Sequence, residues 1–222
     1  MQSGQKGLRR RRSFSASTIE AERPSSPLLA EAGALRASVL VVFGSGGHTA
    51  EMLALLAALP AERYGPFTFV AAASDSTSEP RAKAAALACI PPGAVFERIV
   101  RSREVGQSFL TAALTTLAAL LGALRVVFAA RPALVLVNGP GTCLPVCLAA
   151  ALLALLQRLA ALLRLTRRGP CRVVFVESAC RVESLSLTAR VLYSTRLADA
   201  VLVQWRGLLA RFPRAQFVGL LS

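Results

Sequence analysis

Six short runs rich in β-branched and aromatic residues punctuate the chain, at 38–43 (SVLVVF), 67–72 (FTFVAA), 95–100 (VFERIV), 133–137 (ALVLV), 172–176 (RVVFV) and 200–204 (AVLVQ). Between them lie Ala/Leu-rich stretches long enough for helices, at 49–59, 81–89, 107–128, 142–164, 184–196 and, shorter, 206–211. No other feature restricts the fold as much. Near-continuous apolar runs belong to strands covered on both faces, and their alternation with helices calls for a parallel sheet wound in both directions, the α/β class. No internal repeat interrupts this order.

With 222 residues, of which 54% are hydrophobic, the chain is sized for one domain of about 100 to 200 residues and a tail. Residues 1–37 supply the tail: Arg9 to Arg12 are followed by SFSAST and by the Pro/Ser stretch ERPSSP. Low hydrophobicity and positive charge predict disorder there, and the domain is expected over 38–222. An electrostatic membrane tether, a transit peptide and a solvated tail without a role all fit this composition.

The formal charge of +14 implies an anionic partner. Aromatic residues are 6% of the chain and do not interleave with the basic ones, which argues against a nucleic-acid platform. Cys89, Cys143, Cys147, Cys171 and Cys180 form no CxxC motif. An odd count with no secretory signal favours reduced thiols facing the cytosol, and one histidine with no paired CxxC disfavours structural zinc. Two stretches, 109–124 (FLTAALTTLAALLGAL) and 143–156 (CLPVCLAAALLALL), are free of charge. Both fall short of the about 20 apolar residues of a span, so packing helices are expected. Arg158, Arg164, Arg167, Arg168 and Arg172 flank the second, as suits a helix whose surface meets anionic headgroups.

Polar chemistry gathers where the apolar runs end. After the first run come Gly44, Ser45, Gly46, Gly47, His48 and Thr49. A glycine turn leading into a helix presents backbone N–H groups at the positive end of the helix dipole, which makes a phosphate cradle. The only histidine in the chain stands at its mouth, a residue type that exchanges protons near neutral pH. A G-x-G-x-x-G dinucleotide fingerprint is matched by Gly44 and Gly46, but Thr49 holds its third position; Asp75, a candidate ribose-binding acid, lies farther on than usual. Asn138, Gly139, Gly141 and Thr142 form a second strand-to-helix turn, with Thr142 as candidate N-cap. Glu177, Arg181 and Glu183 follow the fifth run, and Arg101, Arg103 and Glu104 the third, so four strand ends direct polar groups to one edge of the sheet.

GSGGHT, RSREV, NGPGTC, VESACRVESLSL and ADAVLVQW with a later VG, in this order, resemble one family. It is the acceptor-binding, membrane-associated subunit of the UDP-N-acetylglucosamine transferase that adds the second sugar to N-acetylglucosaminyl-diphospho-dolichol. The resemblance covers about residues 38–222 and implies a Rossmann-like domain equivalent to the N-terminal, acceptor-binding half of a GT-B glycosyltransferase. The donor-binding catalytic subunit would be a separate polypeptide, docked at the cytosolic face of the endoplasmic reticulum membrane, and this chain would be inactive alone.

Carried onto this sequence, the resemblance implies that Gly44, Ser45, Gly46, Gly47 and Thr49 hold the acceptor diphosphate. His48 would be the general base on the attacking hydroxyl, or else a hydrogen-bond donor to the diphosphate. Arg103, Glu104, Asn138, Gly139, Gly141 and Thr142 would line the cleft, Glu177 and Arg181 would position acceptor or partner, and Leu220 and Leu221 would meet the partner subunit. No cofactor or metal is implied. Two departures stand out: the tail replaces the family's hydrophobic N-terminal anchor, and Arg206 follows Trp205 where the family has proline. Attachment is then expected from the tail, from the apolar helices or from another membrane protein. A scaffold that only anchors the partner and, less favoured, a nucleotide-dependent oxidoreductase domain are the alternative readings.

Overall fold

A computed structural model describes residues 36–85, 90, 94–102, 109–139, 141–166 and 169–221. The tail expected over 1–37 falls outside these residues except for Arg36 and Ala37. Strands β1 (Ala37–Val42), β2 (Tyr64–Ala72), β3 (Val95–Ile99), β4 (Leu134–Asn138), β5 (Arg172–Val176), β6 (Ala200–Val203) and β7 (Gln216–Phe217) alternate with helices α1 (Gly47–Ala57), α2 (Ser78–Ala84), α3 (Phe109–Ala130), α4 (Cys143–Leu162) and α5 (Leu187–Thr195). A 3-10 helix, Arg206–Ala210, precedes β7. All pairings are parallel, in the order β3-β2-β1-β4-β5-β6-β7. This is the doubly wound, Rossmann-like arrangement, and its strand order reverses between β1 and β4. At such a switch point the two connections leave toward opposite faces, opening a crevice at the carboxyl ends of the strands.

Successive side chains of β1 divide between two cores, as the two-residue period of a strand requires. Leu40 and Val42 join Ala123 and Val127 of α3, Val146, Cys147 and Ala150 of α4, and Leu192 of α5. Val39, Val41 and Phe43 join Met52 and Leu56 of α1 and Ala82 of α2 on the other face. There Phe43, Phe67 and Phe96 stack around the fully buried Phe69, with ring centroids 5.5, 5.9 and 4.9 Å from it. Burial of such a ring contributes about 2 to 3 kcal/mol. Small residues bring α3 close to the sheet: a Cβ on Gly122 would stand 3.4 Å from Cγ2 of Ile99.

Helix α4 is 20 residues long with mean hydropathy 2.0, enough by length and composition to cross a membrane, and 44% of its apolar window is buried. Its inner face packs on the sheet through Val146, Cys147, Ala150 and Leu153. Its outer face presents Leu148, Leu152, Leu155, Leu156, Leu159 and Leu162 to the surface, beside Leu114, Leu117 and Leu121 of α3. The helix, longer than the sequence run suggested, thus packs on the sheet along one side and is apolar on its outer side.

Three differences from the sequence expectation have local causes. Helix α2 starts at Ser78, three residues before 81, because both carboxylate oxygens of Asp75 cap it: Oδ1 accepts from the N–H groups of Thr77 (2.9 Å) and Ser78 (3.1 Å), and Oδ2 from the Ser78 hydroxyl. Helix α5 starts at Leu187, three residues after 184, where the Ser186 hydroxyl accepts from Ala189 N–H at 3.2 Å. The segment at 206–211 closes into one short 3-10 helix, and the two-residue β7 follows it unforeseen.

Candidate functional site

The site is built on the two turns that meet at the switch point. β1 ends at Val42 and leads through Phe43 and Gly44 into the turn; Gly46 takes φ +70°, a value that favours glycine, and α1 begins with no side-chain cap and no acidic residue in its first turn. The leading N–H groups of a helix have no partner within it, and here no carboxylate of that turn competes for them. Ser45, Gly46 and Gly47 are exposed, and a Cβ built on Gly46 or Gly47 would meet nothing within 4 Å. An anion therefore has open access to this turn. Thr49 turns the other way: it is fully buried, donates to the Gly44 carbonyl at 2.6 Å and pairs with the Ser78 hydroxyl at 2.7 Å. Its side chain braces the turn from beneath.

His48 is held by the second turn. Its Nδ1 lies 2.7 Å from Oδ1 of Asn138, the last residue of β4, and 3.7 Å from Oε2 of Glu51 one helical turn on. Gly139, at φ +101°, lies directly against the imidazole: a Cβ there would come within 2.7 to 2.9 Å of three ring atoms. Glycine at 139 is what lets the ring lie flat on the β4 turn. Gly141 is exposed, and its carbonyl accepts from the Ser102 hydroxyl at 3.0 Å, tying the end of β3 to this turn. Thr142 occupies the position before α4 but makes no side-chain capping bond.

Glu51 links both turns to the loop after β5. Its Oε2 accepts from Nδ2 of Asn138 at 3.0 Å, and its Oε1 accepts from the Ser178 hydroxyl at 2.9 Å and from Ala179 N–H at 2.8 Å. Sequence reasoning passed over Glu51. The available signal was its i,i+3 spacing from His48, which puts both on one helix face; the partner that gives the pair meaning, Asn138, is 87 positions away.

Across the opening, Glu177, Ser178, Cys180, Arg181, Ser186, Leu187 and Thr188 face Gly47, His48, Glu51 and Gly139 around a cleft of about 570 Å³. Arg181 and Cys180 are exposed in it. Glu177 is nearly completely buried, and its carboxylate accepts from the N–H groups of Ser178 (3.0 Å) and Ser186 (2.7 Å), which folds the loop back on itself. Arg103 and Glu104 lie outside the described residues. A second, small cavity of about 30 Å³ lies beside Ser45, Asp75, Arg101 and Thr142. Burial alone would raise the Asp75 pKa, but hydrogen bonds from Ser78 and Thr77 outweigh it and hold the carboxyl below the usual aspartate range. That carboxylate is engaged in capping α2 rather than free for a ribose.

The carboxyl-terminal segment is fastened to β6 through β7 and Val218 N–H, which donates to the Val203 carbonyl at 3.1 Å, and again at Leu221. Leu221 N–H donates to Oε1 of Gln204 at 2.8 Å, and Nε2 of the same amide donates to the Glu177 carbonyl at 2.9 Å. Leu220 projects outward, 55% exposed. Cys143, Cys147 and Cys171 are buried free thiols; burial pushes Cys143 and Cys171 up to about 12, so they carry no thiolate chemistry. Among the described residues no group of three or more His, Cys, Asp or Glu side chains is placed to hold a metal ion.

Comparison with known proteins bears on this arrangement. A family described as "Oligosaccharide biosynthesis protein Alg14 like" matches residues 39–221. The chain is 39% identical over 188 residues to the UDP-N-acetylglucosamine transferase subunit ALG14 of Rattus norvegicus, covering 82% of this chain and 81% of that one. It is 36% identical over 187 residues to the subunit of the same name from Schizosaccharomyces pombe, covering 83% of each. Among solved structures, MurG of Acinetobacter baumannii superposes with a TM-score of 0.54 at 19% identity, over 82% of this chain and 44% of that one. This last likeness concerns the fold.

Proposed function

The chain belongs to the Alg14-like family of oligosaccharide biosynthesis proteins, and from that premise we propose that it is the acceptor-binding subunit of a two-chain UDP-N-acetylglucosamine transferase. Its substrate on this reading is an N-acetylglucosaminyl-diphospho-dolichol, extended by one sugar. The observation that carries the reading is the meeting, in one cleft, of an uncapped glycine turn with an imidazole held through its Nδ1.

In this reading the N–H groups at Gly46 and Gly47 and the start of α1 receive the acceptor diphosphate. The attacking sugar hydroxyl then sits before His48. As its oxygen bonds to the donor's anomeric carbon, the proton passes to Nε2 of His48 and the bond from that carbon to UDP breaks. One displacement inverts the anomeric centre and needs no enzyme nucleophile. Positioning supplies much of the acceleration, and a placed base about 10²- to 10⁴-fold. Arg181, exposed on the facing wall, adds positive charge where the diphosphate lies.

The donor half comes from the partner subunit, for which Leu220 and Leu221 are the proposed contact. The leucine faces of α3 and α4, with exposed Arg158 and Arg164 at one end, are the proposed contact with the cytosolic face of the endoplasmic reticulum membrane. A basic tail over 1–37 followed by a single domain over 38–222 completes the reading.

The test is reconstitution. This chain and its donor-binding partner, separately and together, are given UDP-N-acetylglucosamine and a GlcNAc-diphospho-lipid. Transfer is expected only with both chains, and no transfer in any combination contradicts the reading.

A further inference from the structure

We infer that Glu51 is a positioning residue that fixes the tautomer of His48, acting through the side-chain amide of Asn138. The inference rests on the proposed role of His48, but its first readout does not require transferase activity.

The reasoning starts at the far end of the chain of contacts. Oε1 of Glu51 faces two donors, Ala179 N–H and the Ser178 hydroxyl, and the main-chain N–H can only donate. Oε2 faces the Asn138 amide. An ionised carboxylate only accepts, so the amide must turn its NH2 toward Glu51; the flipped amide would set two acceptors 3.0 Å apart. Asn138 is 1% exposed, so water does not relieve a wrong orientation there.

Once Nδ2 points at Glu51, Oδ1 points at His48. An amide oxygen accepts, so Nδ1, 2.7 Å away, carries the proton. In the neutral ring the remaining nitrogen, Nε2, then holds the lone pair, and among the described residues no hydrogen bond engages it. Glu51 thus decides, two hydrogen bonds away, which nitrogen acts as base. When the ring takes up a proton, the carboxylate oxygen 3.7 Å from Nδ1 stabilises the new charge. A carboxylate that orients a histidine and steadies its imidazolium is a known catalytic device; here an amide is interposed. Among the described residues the other titratable or charged groups around the cleft are Glu177, Cys180 and Arg181 on the facing side, and the Glu177 carboxylate accepts from two N–H groups of its own loop.

Because the full chain has a single histidine, ¹⁵N-histidine labelling gives one imidazole spectrum. In detergent-solubilised full-length protein at alkaline pH, two-bond ¹H–¹⁵N correlations are expected to show a protonated Nδ1 and a bare Nε2. A ring protonated at Nε2 in the unmodified protein overturns the inference without any variant. In Glu51→Gln the new amide can donate to Asn138, which frees that side chain to flip, and the signals are expected to move toward Nε2–H. Ser178→Ala removes the hydroxyl bond to Glu51 and the acceptor for Cys180 N–H, leaves Ala179 N–H on the carboxylate, and is expected to keep the Nδ1–H form. Equal shifts in both variants would assign Glu51 to loop folding instead. With the partner present, Glu51→Gln should lower kcat about 100-fold with KM little changed, in keeping with loss of a general base. If the tautomer follows Glu51 while transfer is absent even in the wild type, the positioning role stands and the transferase reading fails.

Discussion

Two glutamates lie on opposite walls of the same cleft and do opposite work. Glu51, on the second turn of α1, directs its carboxylate outward through Asn138 to the imidazole and across the gap to Ser178 and Ala179. Glu177, at the end of β5, directs its carboxylate inward to Ser178 and Ser186 main-chain N–H groups. On the proposed reading one carboxylate shapes the reactive imidazole, while the other is engaged in holding its own loop. Position at the edge of a sheet does not separate these roles; the identity of the donors does. A carboxylate that is 1% exposed and accepts from main-chain N–H groups of its own loop is engaged in holding that loop.

The sharpest way to break this contrast is to neutralise each carboxylate in turn. Glu177→Gln sets an NH2 group against one of two buried N–H donors and should cost about 3 kcal/mol of stability. Urea unfolding checks this, with transfer per folded molecule largely retained. An unchanged unfolding midpoint would show that Glu177 is free to serve the ligand. Glu51→Gln should do the reverse, losing about 100-fold in kcat, equivalent to about 2.7 kcal/mol of barrier, with a small change in unfolding midpoint.

Asp75 offers a milder version of the structural role. Its carboxyl is held below the ordinary aspartate range by the hydrogen bonds that cap α2, against the opposing effect of burial. A group with a depressed folded-state pKa stabilises above its unfolded value and loses that contribution as pH falls through the folded one. Asp75→Asn should therefore lower stability by about 1 kcal/mol at neutral pH, and the gap from wild type should close as the solution is acidified below the usual aspartate range. Unfolding series at several pH values measure it.

The smallest expected effect on stability is at the outer face of α4. Leu152→Ser with Leu156→Ser changes two side chains that are 42% and 45% exposed, and should shift stability by less than about 0.5 kcal/mol for each. Cosedimentation with anionic vesicles should nevertheless fall. Unchanged vesicle binding would move the membrane contact elsewhere.

Most strands were legible because they are buried on both faces and so keep a continuous apolar run, β3 being the exception with Ile99 alone buried, and the glycine turns because Gly46 at φ +70°, ψ −125° and Gly139 against the imidazole both strongly favour a residue without a side chain. β7 was not: it has two residues, both exposed, and no periodicity to read. Helix starts shifted where a cap decided them, as Asp75 does for α2. Within the site, the sequence could name His48, Asn138 and Glu177 from their places at strand ends. It could not say that Thr49 faces inward to Ser78, nor that Glu51 and Asn138 meet, because those contacts depend on which helix face turns toward which strand. The family resemblance located the cleft, and the division of labour inside it came from the hydrogen-bond donors.

The central claim is that His48 performs acceptor chemistry in this cleft. The most direct measurement is the transfer rate of the two-chain enzyme carrying His48→Ala, with binding of the donor subunit confirmed on the same sample. Loss of about 10³-fold in kcat with the partner still bound is the predicted result. Full activity in that variant would contradict the claim and leave the chain as an anchor for its partner.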